Sequence, residues 1–246
     1  MLRQRVPGAT ECQPMSEGWS PFDGRHVLRI AHRAANTLEG LRAAEEAECD
    51  VAEADVWYHR GRLEVRHTKT MGRVPVLWDR WLLEPAWRPR LSLAELVAAA
   101  NHETVLMLDL KGGHRNLSEA VIAEMRAVAP GTPYMVCSQW WDSLEPFREV
   151  DEAFVMHSCG NARMVRDVVT RLTWGQRHAV AAHRKLLSKA AVETLHEHAE
   201  AVVSWPINTM AAFEQVRGYG VDGITSDSIA LLRGLRERAT VFAVKQ

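Results

Sequence analysis

The sequence predicts a single-domain α/β protein, a (β/α)8 barrel, and three observations predict it. The chain has 246 residues, the size at which an α/β barrel fills one domain. Short apolar runs alternate with helical periods along it, which implies parallel strands joined by crossover helices. The strand-like runs number eight: HVLRIAHR, VAEADVWYH (with RLEVRH continuing or pairing with it), TVLMLDLKG, PYMVCSQ, AFVMHS, AVAAHRKLL, AVVSWPIN and VDGITSD.

Helical segments fall between most of these runs. Asn36 and Glu39 bracket the first helix start, followed by Leu38, Leu41 and Ala44 on one face. Ser92 with Glu95 reads as a capping box opening SLAELVAAA. NLSEAVIAEMRAVAPG places Val121, Ile122, Met125 and Val128 on one face and stops at Pro-Gly. SKAAVETLHEHAE and NTMAAFEQVRGYG follow suit. The stretch from Met71 to Pro89 is rich in Trp and Arg and punctuated by Pro, and reads as a loop over the barrel mouth. Residues 1–22 read as an N-terminal arm and 23–246 as the barrel, with no interdomain linker.

Apolar residues make up 47% and charged residues 25%, ordinary for a globular chain, and the net charge of -1 argues against wholesale nucleic-acid binding. The four cysteines form no CxxC pair, which suits reduced thiols in the cytoplasm. No apolar run is long enough to span a bilayer, and MLRQRVPGATECQP lacks a signal-peptide core.

In a (β/α)8 barrel the C-terminal strand ends carry the chemistry, and costly polar residues recur there. The first strand ends in His32-Arg33. The second carries Glu53 and Asp55, which share one face because strand side chains alternate. Two carboxylates on one inward face repel each other and lose hydration unless a cation joins them. RLEVRH ends in His67, the third strand carries Asp109 and Lys111, and the last two end in Trp205, Asn208 and Ser226-Asp227. Glu53, Asp55 and Asp109 form an all-oxygen set suited to Mg²⁺ or Ca²⁺. Arg33 and Lys111 suit an anionic substrate such as a phosphate. His32 and His67 suit acid–base catalysis near neutral pH. Singly, each has a structural explanation: a satisfied strand-end histidine, or a buried Asp109–Lys111 ion pair. Together they fit metal-assisted phosphodiester cleavage of a small-molecule substrate. Of the other histidines, His157 and His114 are possible pocket residues, and His26, His59, His102 and His178 read as solvated.

Between His26 and about Leu235 the ordered motifs resemble the glycerophosphodiester phosphodiesterases: IAHR, NTLEGL, AEADVWYHRGRLEVRH, LDLKG, VVSWPIN and GVDGITSD. The resemblance implies a TIM barrel with one divalent metal held by Glu53, Asp55 and Asp109. It implies His32 and His67 as the acid–base pair, Arg33 and Lys111 on the phosphate, and Trp205 lining the pocket. Several positions depart from the family pattern. Ala34 follows His-Arg where Gly is usual, Thr68 follows His67 where Asp is usual, and Asp109 stands where Glu is common. The segment from His67 to Ser92 is too short for the usual small inserted subdomain. The short first loop and DLK also resemble the phospholipase D and sphingomyelinase D branch, which makes lysophospholipid head-group cleavage the alternative. Trp78, Trp81, Leu82, Leu83 and Trp87 read as packing or a lid, with lipid-surface contact as the alternative.

Overall fold

The computed structural model describes residues 19–22, 24, 26–70, 76–79, 82–85, 87–101, 103–172 and 178–243. In chain order the strands are β1 (Leu28–Ala31), β2 (Val51–His59), β3 (Arg62–Val65), β4 (Lys69–Thr70), β5 (Val76–Asp79), β6 (Leu82–Pro85), β7 (Val105–Lys111), β8 (Tyr134–Ser138), β9 (Ala153–Cys159), β10 (His178–His183), β11 (Ala201–Trp205) and β12 (Gly223–Ser226). The helices are α1 (Leu38–Glu46), α2 (Leu93–Ala99), α3 (Leu117–Val128), α4 (Ala162–Arg171), α5 (Lys189–His196), α6 (Met210–Arg217) and α7 (Ile229–Ala243).

Eight strands pair in parallel in the order β1-β12-β11-β10-β9-β8-β7-β2, and β2 returns to β1 through Ile30↔Val51 and Ala31↔Ala52. The sheet is therefore a closed (β/α)8 barrel. Alternation along each strand divides the apolar residues into two cores. Ile30, Val51, Met107, Met135, Phe154 and Val203 fill the interior. Ala52, Ala54, Val136, Val180, Val202 and Ile224 face the helices together with Leu41, Leu93, Val121, Val192 and Val216. Gly223 lies where β1, β11 and β12 converge: a Cβ there would stand 3.1 Å from Val203 and 3.3 Å from Leu28.

The upper half of β2 outruns β1. β3 folds back antiparallel against it, with Val56↔Val65 and Trp57↔Glu64 in register. RLEVRH thus pairs with the second strand rather than continuing it. The stretch expected to be a loop carries a sheet of its own, β4-β5-β6, antiparallel throughout. Its alternating Val76–Leu77–Trp78 was obscured in the sequence by the surrounding Pro and Arg. Trp81 lies outside the described residues, as does residue His102.

The capping box of α2 is present in both directions. At α1 the cap is Thr37, whose hydroxyl accepts from the Gly40 N–H at 3.0 Å. Asn36, one residue earlier, is thereby released for another use. Between β8 and β9 there is a 3₁₀ segment, Trp141–Glu149, with Pro146 inside it. Trp19 and Phe22, expected in the arm, pack on the interior ring of Phe154 at 6.4 and 5.5 Å.

His157 and His178 differ from expectation. Both take the outward parity of their strands and are buried, His157 meeting Trp141 at 6.0 Å and His178 at 5.4 Å. His157 does not line the barrel mouth, and His178 is not solvated. Burial, reinforced by the positive charge of neighbouring groups, pushes His157 down to about 3 and His178 down to about 4. A folded state that holds an imidazole neutral loses stability as pH falls below the unfolded value near 6.5. The loss is roughly 1.4 kcal/mol per pH unit for each ring, until its folded value is reached. Thermal melts of His157→Leu between pH 7 and pH 5 should therefore show a visibly shallower loss than wild type. Equal losses would mean His157 is not held neutral.

Candidate active site at the C-terminal mouth

The interior rows continue past their last apolar residue into polar ones. After Ile30 comes His32, after Val51 come Glu53 and Asp55, after Met107 come Asp109 and Lys111, and after Val203 comes Trp205. All lie at the C-terminal end of the barrel, because the registers align Asp55 with Asp109 and Ala31 with Ser226.

Glu53, Asp55 and Asp109 form a single acidic cluster whose candidate ligand oxygens all lie within 4.8 Å of one another. Glu53 and Asp55 are buried. Burial, then the charges of Asp55 and Asp109, raises Glu53 well above the ordinary carboxyl range. Burial also raises Asp109 to about 6, against the pull of Lys111. Burial would raise Asp55 as well, but the Lys111 charge and hydrogen bonds from Lys111 and Asn36 hold it below its usual value. Lys111 Nζ lies 2.8 Å from Asp55 Oδ1 and also pairs with Asp109. Burial works against its charge, yet Asp109, Asp55 and Glu53 together raise its pKa. A single ammonium thus faces three carboxylates. Among the described residues, Glu53 Oε1 is buried with no hydrogen-bond partner. A buried orphan oxygen beside two further carboxylates matches what a hard divalent cation requires.

Arg33 adopts φ 55°, a left-handed conformation uncommon for a residue with a side chain. The turn directs its N–H onto Glu53 Oε2 at 2.5 Å, while Arg33 Nε stands 3.7 Å from Asp55 Oδ2. Asn36 clamps Asp55 twice: its Nδ2 donates to Asp55 Oδ2 and its Oδ1 accepts the Asp55 N–H, both at 2.7 Å.

His32 Nδ1 is 2.7 Å from Asp227 Oδ1. A carboxylate can only accept, so this contact places the proton on Nδ1 and leaves the Nε2 lone pair toward Glu53 Oε2, 3.9 Å away. Asp227 is itself held by Asn208, whose Nδ2 donates to Oδ2 at 2.8 Å and whose Oδ1 accepts the Asp227 N–H at 2.9 Å. Burial lowers the His32 pKa, and the hydrogen bond to Asp227 opposes that shift. His67 arrives by a different route. The Arg66 N–H donates to the Asp55 carbonyl at 2.9 Å, which brings the half-buried His67 alongside the acidic strand. Trp205 is half-buried and meets His183, on the neighbouring strand end, edge-on at 5.1 Å.

Of the residues singled out in the sequence, His32, Arg33, Glu53, Asp55, Asp109 and Lys111 converge directly. His67 follows β3, whose return pairs with the strand that carries Glu53 and Asp55, and Trp205 stands across the mouth beside His183. The structure adds Asn36, which the sequence marks only as a helix start, and Asn208, Asp227 and His183, to which it gives no role. Their signal is position alone: Asp227 follows β12, whose neighbours β1 and β11 lead into His32 and Trp205, and Asn208 follows Trp205 on β11.

These features define a (β/α)8 barrel with an acidic cluster, flanked by His32, at its mouth. Solved structures share that fold. A glycerophosphodiester phosphodiesterase from Thermotoga maritima superposes with a TM-score of 0.65 at 17% identity, covering 85% of this chain and 98% of that one. A phosphodiesterase from Oleispira antarctica, in complex with the product sn-glycerol-3-phosphate, gives 0.69 at 16% identity over 87% and 98%. A glycerophosphodiester phosphodiesterase from Agrobacterium tumefaciens gives 0.62 at 16% over 86% and 99%. No family model matches the sequence, and no curated protein does. At these identities the likeness is one of fold.

Proposed function

We propose that this protein is a metal-dependent phosphodiesterase that hydrolyses glycerophosphodiesters to an alcohol and glycerol 3-phosphate. The observation that carries the reading is the orientation of His32 by Asp227 toward the Glu53–Asp55–Asp109 cluster. The fold likeness to a glycerophosphodiester phosphodiesterase, and to a phosphodiesterase in complex with the product sn-glycerol-3-phosphate, supports the substrate class. Glu53, Asp55 and Asp109 would hold one Mg²⁺ or Ca²⁺, which when bound neutralises charge growing on the phosphoryl oxygens. Arg33 and Lys111 supply positive charge for the phosphate.

His32, with its Nδ1 proton directed at Asp227, has a free Nε2 lone pair. It takes the proton of an attacking water, or of the substrate's own glycerol hydroxyl, in which case the cyclic phosphate formed is opened by a water in a second step to give glycerol 3-phosphate. The new P–O bond forms as the bond to the head-group oxygen breaks, and His67 returns a proton to that oxygen. Trp205 and His183 close the opposite wall of the pocket. No helix among the described residues is long and apolar enough to cross a membrane. Cys49, Cys137 and Cys159 are buried free thiols, which suits the cytoplasm we assign to it.

The exposed apolar Trp78, Leu83 and Trp87 favour a second substrate, a lysophospholipid cleaved at its head group. Turnover of glycerophosphocholine and lysophosphatidylcholine with Mg²⁺, with Ca²⁺ and with EDTA decides between them. Metal-dependent turnover of the water-soluble diester is the expected result. Turnover of the lysolipid alone would assign the phospholipase D type. Metal-independent turnover, or none of either diester, would overturn the reading.

A further inference from the structure

The β4-β5-β6 sheet presents two different faces. Leu77 is buried, at 1% exposure. Trp78, one residue on, belongs to the opposite face and is 42% exposed. It stands in register with Lys69 on one side and Leu83 on the other. Lys69 is exposed and Leu83 is 62% exposed. One cross-strand row therefore reads Lys69–Trp78–Leu83 toward solvent. Trp87, just past β6, is 71% exposed, and Arg88 beside it is exposed too.

The charge of this part of the chain is equally unusual. Residues 60–90 hold eight Lys or Arg against three Asp or Glu, whereas the rest of the chain holds 22 against 28. A nearly neutral chain thus carries a net charge of +5 in the segment that holds Trp78 and Trp87. The row begins two residues after His67 in the chain.

We propose that this face docks on an anionic lipid bilayer, with Trp78, Leu83 and Trp87 entering the interface and Lys69 and Arg88 meeting the lipid phosphates. Tryptophan between apolar and charged neighbours is the composition that settles at a membrane–water boundary. Each cation near such a surface multiplies the partition about fivefold. Three apolar side chains interspersed with cations are too few for a stable protein interface, which covers about 800 Å² per partner with a desolvated core. The docking goes beyond the hydrolytic reading and stands without it.

The test is co-sedimentation of the full chain with phosphatidylcholine vesicles, with and without 30 mole per cent phosphatidylglycerol, at low and high salt, with heparin as a non-lipid polyanion. We expect binding to the phosphatidylglycerol vesicles alone, weakened at least tenfold by high salt. Trp87→Ser and Leu83→Ser should each weaken it several-fold, and Lys69→Glu with Arg88→Glu at least tenfold. These variants should keep wild-type melting temperatures and wild-type hydrolysis of glycerophosphocholine, which separates loss of docking from loss of fold or of chemistry. Absence of vesicle binding would overturn the proposal. So would binding untouched by the tryptophan and leucine variants, or heparin binding that is equally strong and equally sensitive to them.

Discussion

Glu53→Gln should leave a folded protein with kcat at least ~10³-fold below wild type and no response to divalent metal. In wild type, Glu53 Oε1 is buried with no hydrogen-bond partner among the described residues, and its carboxyl is held far above its usual range by burial and by Asp55 and Asp109. A bound cation would reverse both conditions. Saturating Mg²⁺ or Ca²⁺ at about 100 times Kd should stabilise the wild type by about 2.7 kcal/mol, a rise of roughly 5–10 °C in melting temperature. Binding should also favour proton release, because a cation opposes the burial and mutual repulsion that raise Glu53 and Asp109. The amide of the variant keeps the shape and can still accept the Arg33 N–H. It removes a charge that the fold bears at a cost, so the metal-free variant should melt no lower than metal-free wild type. Differential scanning calorimetry with and without metal checks both halves. A Glu53→Gln protein that gains as much from metal as wild type would remove Glu53 from the ligand set.

The sequence shows this cluster readily because its parts are close together along the chain. Glu53-x-Asp55 and Asp109-x-Lys111 each occupy alternate positions of one strand, and two charged residues on the inward face of a barrel have few structural explanations. The barrel was legible for the same reason, since its strands are short apolar runs separated by helical periods. Long-range partners were harder to see. Asp227 meets His32 across 195 residues and Asn36 meets Asp55 across 19, and nothing local to a lone Asn or Asp distinguishes such a partner from a cap. In the sequence Asn36 reads as part of the α1 start, whereas Thr37 makes the cap. The β4-β5-β6 sheet was lost because its strands are two to four residues long, below the length at which alternation can be separated from composition. His157 and His178 show the converse error: polar residues near strand ends were assigned to the pocket or to solvent, where parity sends both into the helix layer.

The three residues His32, Asp227 and Asn208 yield the second large effect. His32→Ala should lower kcat about 10³-fold, within the range that loss of a general acid or base produces. Asp227 touches no reacting atom and acts through His32, so it is a positioning residue and its signature differs. Asp227→Asn replaces an acceptor with an amide that can donate to Nδ1. The proton then favours Nε2, the nitrogen that must be free, and kcat should fall roughly 10²-fold or more with KM nearly unchanged. Asp227→Ala removes the hydrogen bond and charge that raise the His32 pKa against burial. The imidazole should then hold its proton less well, so the acid limb of the kcat profile moves to lower pH as the plateau falls. The sign matters: a lost scaffold lowers the plateau and leaves the limb in place. Asn208→Ala frees Asp227 Oδ2 and its N–H together, and should reproduce the same shift in weaker form. Measured pH–rate profiles of the three variants therefore test whether the relay from β11 through β12 to β1 orients the imidazole, and an unmoved acid limb in all three would reduce Asp227 to a structural contact.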